Sequence, residues 1–418
     1  MKKNKVILSA LTLALTAVLL VTALTACSAV HIRSNCLSAG YSRKTGSTPA
    51  ASDVSDGVRG SLTDVTISLF RESVAAGEEG QNSVISPLSA AICLALMANG
   101  SDGNTRAQIE SALGMTVDQL NRCLYGFTSG LDKENVKLNL ANSIWLDQSA
   151  APDIKSSFLQ ANADWYDAQV YNTPMDASTV RDINSWCSKN TDGLIKEILR
   201  EIPESTRMYL INALLFDAKW ESPYERDDVN DGKFTSYNGS VSNVTMLHSE
   251  EVYMSYGSAQ AFARRYAGGR YAFVGILPDE KTDIYDYIAS LDGDTWRALW
   301  GSQTGELASV TMPEFKCSSD TDLVALMTSL GITDMFEPAA DFSGMSDTRE
   351  LYCSAFRQKA VIEVDRNGTK AAAISWGAMD EASMGYVRNI VLDRPFVYAV
   401  VDYESGLPLF IGAVTTLG

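Results

Sequence analysis

The sequence offers few side chains that could carry out catalysis or hold a metal. Among its 418 residues there are two histidines, His31 and His248. Two histidines can complete at most one Ser-His-Asp arrangement, and they cannot build a multi-histidine metal site. Three acids in one turn, Asp227, Asp228 and Asp231, lack the ordered oxygen spacing that a calcium loop requires. These residue types argue against a hydrolase or a metalloenzyme, and we expect neither a metal nor a cofactor.

The charge balance argues against another class of partner. The chain carries 51 acidic and 34 basic side chains, which gives a formal net charge of −17. Because nucleic-acid binding depends on clustered lysine and arginine that release counterions, we expect no nucleic-acid partner. Apolar residues make up 46% of the chain and charged residues 20%, as in ordinary globular proteins.

The first 26 residues are typical of an export signal. Three lysines precede an apolar stretch over 6–24, and this stretch ends at Leu24-Thr25-Ala26-Cys27. The ending resembles a bacterial lipobox, which implies cleavage before Cys27 and a lipid on its sulfur, so that the chain is exported and anchored at the outer face of a bacterial membrane. The alternative is an uncleaved signal anchor, because the apolar run is almost long enough to span a bilayer. Residues 27–60 are rich in Ser, Gly, Ala and Thr and predict a flexible tether.

Residues 61–418 predict a single α+β domain. Ser86-Pro87 is an N-cap followed by a proline at the first helical position, and the apolar run after it predicts a central, buried helix. Helices that precede long antiparallel strands argue against a doubly wound parallel sheet. The predicted helices cover 62–74, 88–98, 105–113, 152–167, 178–190 and 320–330. The predicted strands cover 136–146, 207–219, 241–256, 271–277, 307–315, 359–365 and the run 389–416.

Eight short motifs occur in order along this domain, and together they resemble the serpin family. The motifs are Asn82-Ser-Val-Ile-Ser-Pro-Leu-Ser89, Gly103-Asn-Thr-Arg106, Leu138-Asn-Leu-Ala-Asn142, Asn212-Ala-Leu-Leu-Phe-Asp-Ala-Lys-Trp220, Met312-Pro-Glu-Phe-Lys316, Asp341-Phe-Ser-Gly344, Asp393-Arg-Pro-Phe396 and Pro408-Leu-Phe-Ile-Gly412. The resemblance implies the serpin fold. That fold has a large, mainly antiparallel central sheet, two further sheets, about eight or nine helices and a mobile reactive-centre loop, which would span about residues 366–388.

The resemblance also implies a suicide-substrate mechanism, in which the chain is an inhibitor and not an enzyme. A target serine protease attacks the reactive-centre loop and forms a covalent acyl-enzyme. The cleaved loop then inserts as an extra strand into the central sheet and distorts the protease before it can deacylate. We expect the chain to be a monomer whose partner is the target protease.

The segment from Arg366 to Ser375 carries the pattern that this mechanism needs. Its alternate residues are small, which suits a strand that enters a packed core, although the residues alone would also suit a flexible loop. Resemblance to the serpin hinge favours the inserting strand. The hinge residues implied are Gly368, Thr369, Ala371, Ala372, Ala373 and Ser375.

Family spacing implies a reactive bond between Ala382 and Ser383, where Ala382 stands fourteen residues after Gly368. Counting back from the Asp393-Arg-Pro-Phe396 motif instead places the bond near Met384, and a bond after Glu381 is a third register. A small residue before the bond suits an elastase-like pocket.

Further positions resemble the family's sheet-opening region. Ser86, Ser89 and Asn212 match its polar cluster, and Trp220 matches a tryptophan beneath the top of the central sheet. Gln358 stands where the family usually has histidine, but its amide can still both donate and accept hydrogen bonds. Arg366 and Lys370 occupy positions where serpin hinges usually carry Glu, and we expect both to remain exposed with little effect.

A second hypothesis keeps the fold and changes the function. Some serpins do not inhibit proteases, and the chain could be a surface binding protein with the same fold. Large inward-facing hinge residues would favour that hypothesis, and this sequence lacks them. An exported hydrolase is a third hypothesis, but it would require His248 to lie beside a nucleophile.

Overall fold

The computed structural model describes residues 32–43, 56–129, 136–150, 152–348, 350–369 and 388–418. Within these ranges the chain forms nine α-helices and sixteen strands. The helices are α1 (Asp56–Ala75), α2 (Pro87–Ala98), α3 (Gly103–Leu113), α4 (Val117–Ser129), α5 (Ser156–Tyr166), α6 (Ala177–Asn190), α7 (Ile284–Ser290), α8 (Gly293–Gly301) and α9 (Leu323–Ser329). The strands are β1 (Asn35–Cys36), β2 (Ser83–Ile85), β3 (Val136–Asp147), β4 (Gln169–Thr173), β5 (Met208–Lys219), β6 (Val229–Thr235), β7 (Val241–Tyr256), β8 (Ala259–Arg265), β9 (Tyr271–Pro278), β10 (Leu307–Pro313), β11 (Phe315–Asp322), β12 (Ala355–Asp365), β13 (Gly368–Thr369), β14 (Arg388–Val391), β15 (Phe396–Asp402) and β16 (Pro408–Val414).

The central sheet has seven strands in the order β1-β4-β3-β5-β13-β12-β11. Most neighbours are antiparallel, whereas β3 with β4 and β5 with β12 are parallel. This sheet and the accompanying helices confirm the predicted α+β class.

The second sheet has nine strands, with the path β14-β10-β7-β8-β9-β15-β16-β2 and β6 paired to β7. The sequence predicted two further sheets, and the structure joins them into one. Strand β7 makes the join, because its 16 residues are long enough to pair with β6 and β10 at one end and with β8 at the other.

Helix α2 lies between the two sheets and is buried over all twelve of its residues. The side chain of Ser86 caps it by accepting a hydrogen bond from the Ser89 amide, and Pro87 fills the first turn, where no amide donor is needed. Cys93 lies within this helix and is fully buried, as expected of a small apolar residue.

The element boundaries depart from prediction in several places: the predicted C-terminal run 389–416 is three strands, β14, β15 and β16, and two further departures lie near one another in sequence. The predicted strand 307–315 is two strands, because the chain turns at Pro313 and Glu314 between β10 and β11. The predicted helix 320–330 begins at Leu323, because Asp320–Asp322 continue the pairing of β11 with β12 before Asp322 caps the helix. Helices α4, α7 and α8 were not predicted, and both α7 and α8 are short helices that begin after an aspartate N-cap.

The predicted flexible tether is wrong for residues 32–43. Strand β1 pairs antiparallel with β4 and forms an edge of the central sheet. The physical reason is a tertiary contact: the buried carboxylate of Asp182 accepts hydrogen bonds from the amides of Arg33 and Ser34. Helix α1 also begins at Asp56, before the predicted start of the domain at residue 61.

The predicted signal peptide, the lipidated Cys27 and the remainder of the tether lie outside the described residues. Among the helices that the structure does describe, none has the length and apolar character to cross a membrane. No disulfide joins any two of the six described cysteines, and five of them are buried.

Candidate functional site

Two residues of the predicted hinge lie between strands of the central sheet. In the two-residue strand β13, Gly368 pairs with Lys219 and Asp365, and Thr369 pairs with Ala218 and Val364. At this upper end of the sheet, β13 therefore separates β5 from β12.

At the lower end β5 and β12 pair directly with each other. Their register runs from Tyr209 opposite Ala355 to Ala213 opposite Lys359. Between this closed part and β13, residues 214–217 of β5 and 360–363 of β12 have no partner residue across from them on the other strand. Among the described residues, the sheet is closed below, open in the middle and occupied by the hinge at the top.

Thr369 is held in the protein interior by an aromatic hydroxyl. Its side chain is 1% exposed, and its Oγ1 lies 2.6 Å from the hydroxyl oxygen of Tyr266. Burial raises the pKa of the Tyr266 hydroxyl, so that hydroxyl stays protonated and can donate to Thr369. Tyr266 is in turn stacked on Trp220, with 4.6 Å between ring centroids.

Gly368 occupies a position that other residues would strain. Its φ is +152°, and a Cβ built there would lie 2.1 Å from the backbone oxygen of Ala218. The approach of the hinge to β5 therefore depends on the missing side chain.

Trp220, a predicted site residue, lies beneath the hinge. It contacts both the end of β12 at Asp365 and the buried ion pair of Arg264 with Glu251. Its indole Nε1 donates to the backbone oxygen of Asp365 at 2.8 Å. The guanidinium of Arg264 lies 5.0 Å from the Trp220 ring and 3.9 Å from the Tyr224 ring, and it pairs with the buried Glu251. Burial raises the pKa of Glu251, while the guanidinium of Arg264 acts in the opposite direction. Trp220 thus packs against charged and aromatic groups that fix the upper end of β5.

Arg366 has a charged partner that the sequence did not reveal. Its Nε and its backbone amide both donate to the Glu314 Oε1, each at 3.1 Å. The Arg366 side chain is about half exposed, as expected, but it pairs with an acid that follows β10. The expectation for Lys370 falls outside the described residues.

The predicted polar cluster comes together where β5 and β12 close. The Gln358 amide donates to the Ser86 carbonyl oxygen at 2.9 Å and accepts from the Ser86 amide at 2.8 Å. Gln358 and Asn212 occupy paired positions on the two strands, and the Asn212 Nδ2 donates to the Asn142 Oδ1 at 2.7 Å. The amide of Gln358 therefore makes a neutral link between the central sheet and the start of α2.

Two polar atoms of this cluster have no hydrogen-bond partner among the described residues. Asn212 and Ser89 are 1% and 0% exposed, and neither the Asn212 Oδ1 nor the Ser89 Oγ has a hydrogen-bond partner among the described residues. Unpartnered polar atoms at this depth cost free energy, so the closed sheet carries an unsatisfied site at this point.

The remaining predicted site residues lie outside the described residues. They are hinge residues Ala371, Ala372, Ala373 and Ser375 and the reactive-bond candidates Glu381, Ala382, Ser383 and Met384. The description resumes at Arg388, whose strand β14 lies parallel to β10. Sequence reasoning also missed Tyr266, Arg264 and Glu251, because their proximity to the hinge comes from strand register and no local motif marks it.

The geometry above agrees with the comparisons with known proteins. Residues 60–417 match the family model for "Serpin (serine protease inhibitor)". Serpin-Z10 of Arabidopsis thaliana is 29% identical over 373 residues, covering 84% of this chain and 96% of its own length. Human serpin I2 is 26% identical over 369 residues, covering 84% and 90%.

Solved structures give the same result. The thermophilic serpin tengpin in its native state has a TM-score of 0.86 and 36% identity, covering 92% of this chain and 100% of that one. Tengpin in its latent state has a TM-score of 0.77 and also 36% identity, covering 88% and 99%. The chain belongs to the serpin family, whose homologues include proteins named as serine protease inhibitors. Its fold is more similar to the native than to the latent form of tengpin.

Replacing Gln358 with leucine should destabilise the native fold. The change leaves the buried amide of Ser86 without its partner, at about 1–3 kcal/mol, and removes one of the two hydrogen bonds that the Ser86 carbonyl accepts, the other coming from the Ala90 amide. Denaturant-induced unfolding should therefore shift to lower concentration. Glu363→Gln is the matched control, because it removes an exposed ion pair on the same strand, worth about 0–1 kcal/mol. Equal transitions for the two variants would contradict the role assigned to Gln358.

Removing the Tyr266 hydroxyl should loosen the hinge. Tyr266→Phe leaves the buried Thr369 hydroxyl without its partner, which costs about 1–3 kcal/mol. We expect the amide of Thr369 to exchange with solvent roughly tenfold faster. Tyr224→Phe is the control, because its hydroxyl lies 3.3 Å from the Ser249 hydroxyl and does not contact the hinge. If the amide of Thr369 exchanges with solvent at the same rate in both variants, Tyr266 does not hold Thr369.

Proposed function

We propose that the chain is an irreversible suicide-substrate inhibitor of serine proteases that acts by loop cleavage and insertion into the central sheet. The observation that carries the proposal is β13. Gly368 and Thr369 are paired on both sides, at the entrance of a sheet that is open immediately below them. Insertion would then extend an existing strand and would not have to nucleate a new one.

The register of β13 supports this proposal. If the strand continued downwards from Thr369, Ala373 would lie between Leu214 and Ala360, and Ser375 between Asn212 and Gln358. Ser375 has the same inward parity as Thr369. A hydroxyl would therefore reach the cluster that contains the unpartnered Asn212 Oδ1, and the small residues above it would avoid overpacking.

The proposed target class is elastase-like serine proteases. The proposal follows from Ala382 before the favoured bond to Ser383, although the acids Asp380 and Glu381 beside it narrow the choice of target. Mass spectrometry of the small C-terminal fragment released by elastase measures the bond directly. A fragment that begins at Ser383 supports the hinge-based register, whereas one that begins at Ala382 or Gly385 selects a neighbouring bond.

Active-site titration tests the inhibition itself. Pancreatic or neutrophil elastase should lose activity in proportion to added inhibitor, and the activity should not return on dilution. Full recovery across a broad protease panel, with the inhibitor cleaved, would overturn the proposal.

The second candidate is a binding protein with the serpin fold. Thyroxine-binding globulin in complex with thyroxine has a TM-score of 0.75 and 21% identity to this chain. The fold alone therefore does not distinguish a protease inhibitor from a binding protein. The seated, small-residue hinge favours the inhibitor. A chain whose thermal stability is unchanged by loop cleavage would favour the binding protein.

We also propose that the chain is exported and displayed as a monomer on a bacterial surface through lipid on Cys27. The support is the basic, apolar and small-residue order of residues 1–27. Cys27→Ser should move the protein from the membrane fraction to the soluble fraction. Unchanged fractionation would contradict the lipid anchor and favour an uncleaved signal anchor.

A further inference from the structure

Residues 32–43 form a strap across one edge of the central sheet. At its centre, Cys36 pairs with Tyr171 of β4, and the Leu37 amide donates to the Val170 carbonyl at 2.8 Å. Ser38 is 7% exposed, and its hydroxyl oxygen accepts from the Val170 amide at 3.0 Å. These are strand-type contacts, so the strap is part of the fold.

The strap is fixed at its start by a buried acid on α6. The Asp182 Oδ2 accepts from the Ser34 amide at 2.7 Å and from the Ser34 hydroxyl at 2.6 Å. Ile32 packs with Cys36 against a hydrophobic cluster that includes Tyr171 and Ile183. The chain is thus held within the first three described residues.

The strap is fixed again at its end. The guanidinium of Arg43 lies 4.6 Å from the centre of the Tyr125 ring, and its Nε donates to the Asp164 carbonyl at 2.8 Å. The Gln160 side chain donates to the Ser42 carbonyl at 3.0 Å. Helices α4 and α5 therefore hold the strap at the far end.

Strand directions give the strap a defined polarity. Strand β1 is antiparallel to β4, and β4 is parallel to β3, which descends from the hinge end. The strap consequently enters from the end of the sheet that lies away from the hinge. Through the pairs Cys36–Tyr171, Tyr171–Trp145 and Trp145–Tyr209, its level on β5 is that of Tyr209. Tyr209 stands nine residues before Ala218, the partner of Thr369, so the two levels are about 30 Å apart.

The docked strap changes the reach of the predicted tether. If the chain were free up to Asp56, the 29 residues after Cys27 could extend about 100 Å. Because the strap begins at Ile32, four residues lie between the lipidated position and a fixed point, and the five Cα–Cα steps from Cys27 to Ile32 can span at most about 17 Å.

We propose that the strap sets the orientation of the domain on the membrane. The end of the sheet away from the hinge is held close to the lipid headgroups, while the hinge and the reactive-centre loop face outwards, where a large protease can reach them. The proposal rests on the lipid anchor at Cys27 proposed above. The membrane-facing end presents the exposed acids Glu201 and Glu204, so a short covalent leash and not charge attraction holds it there.

The test couples the mature chain, beginning at Cys27, to vesicles of zwitterionic lipid that contain a maleimide lipid. The chain also carries the substitution Cys36→Ser, so that the maleimide reacts with Cys27. The other described cysteines are buried. A fluorophore is placed through a non-natural amino acid at Glu204 or at Asp227, and energy transfer to a dye in the bilayer is measured. Both positions are exposed acids, on opposite ends of the sheet.

The expected result is that the dye at position 204 lies about 30 Å closer to the bilayer than the dye at position 227. Replacing residues 32–43 with twelve Gly and Ser residues should remove most of that difference at constant tether length. The proposal would be overturned if the two dyes lay at equal distances from the bilayer in the protein with its native strap, or if replacing the strap left the difference between them unchanged. Chemical coupling makes this outcome independent of lipidation in cells, which the Cys27→Ser fractionation tests separately.

Discussion

Replacing Thr369 with arginine should convert the proposed inhibitor into a substrate. Thr369 is 1% exposed and is enclosed by β5, β12 and Tyr266. A guanidinium at this inward position would have to be buried without a partner, at an effective cost of several kcal/mol. The hinge of the variant would then leave the sheet, and insertion would be slower than deacylation. Since each 1.36 kcal/mol changes a rate about tenfold, we expect trapped protease to fall at least about a hundredfold.

The control for this prediction is Thr369→Ser, which keeps the hydroxyl that contacts Tyr266 and removes only a methyl group. It should trap protease almost as well as the parent chain. The measurement is the ratio of trapped complex to cleaved inhibitor on a denaturing gel. An arginine variant that traps protease normally would show that Thr369 does not enter the core during insertion.

Cleaving the loop should raise the thermal stability of the chain by a large amount. The segment from position 370 to the favoured bond at Ala382 would add a strand between β5 and β12, first alongside residues 214–217 and 360–363 and then by separating the pairs that join 209–213 to 355–359. Each net hydrogen bond contributes about 1 kcal/mol, so a strand of this length contributes on the order of 10 kcal/mol. For a domain of this size, that corresponds to a rise in melting temperature on the order of 20 °C.

The matched control is the cleaved Thr369→Arg variant, which should show little or no rise because its hinge does not enter the sheet. Scanning calorimetry at a fixed scan rate suits this comparison, because the melting temperature of a large protein that unfolds irreversibly depends on the scan rate. A parent chain with the same melting temperature before and after cleavage would favour the binding-protein hypothesis.

Gly368 and Thr369 of the hinge and the polar cluster were predicted mainly through resemblance to the serpin family. Small residues at alternate positions suited either an inserting strand or a flexible loop, whereas Ser86-Pro87 did mark by itself the start of the helix that contacts Gln358. The contact of Thr369 with Tyr266 was not predictable. Tyr266 follows β8 and reaches the hinge through strand register, which no local pattern in the sequence determines.

The strap was missed for a different physical reason. Its composition is that of a linker, and β1 is only two residues long, so no periodic pattern identifies it. Its order comes from tertiary partners, above all Asp182 on α6 and the edge of β4. The charged partner of Arg366 was missed similarly, because Glu314 is 52 residues away in sequence.

Covalent trapping of the protease is tested most directly by the mass of the product formed with elastase, measured by mass spectrometry under denaturing conditions. We expect one covalent species whose mass is that of the protease plus this chain without its C-terminal fragment. Detection of only free protease and cleaved chain, with no joined species at any time point, would contradict the proposed inhibition.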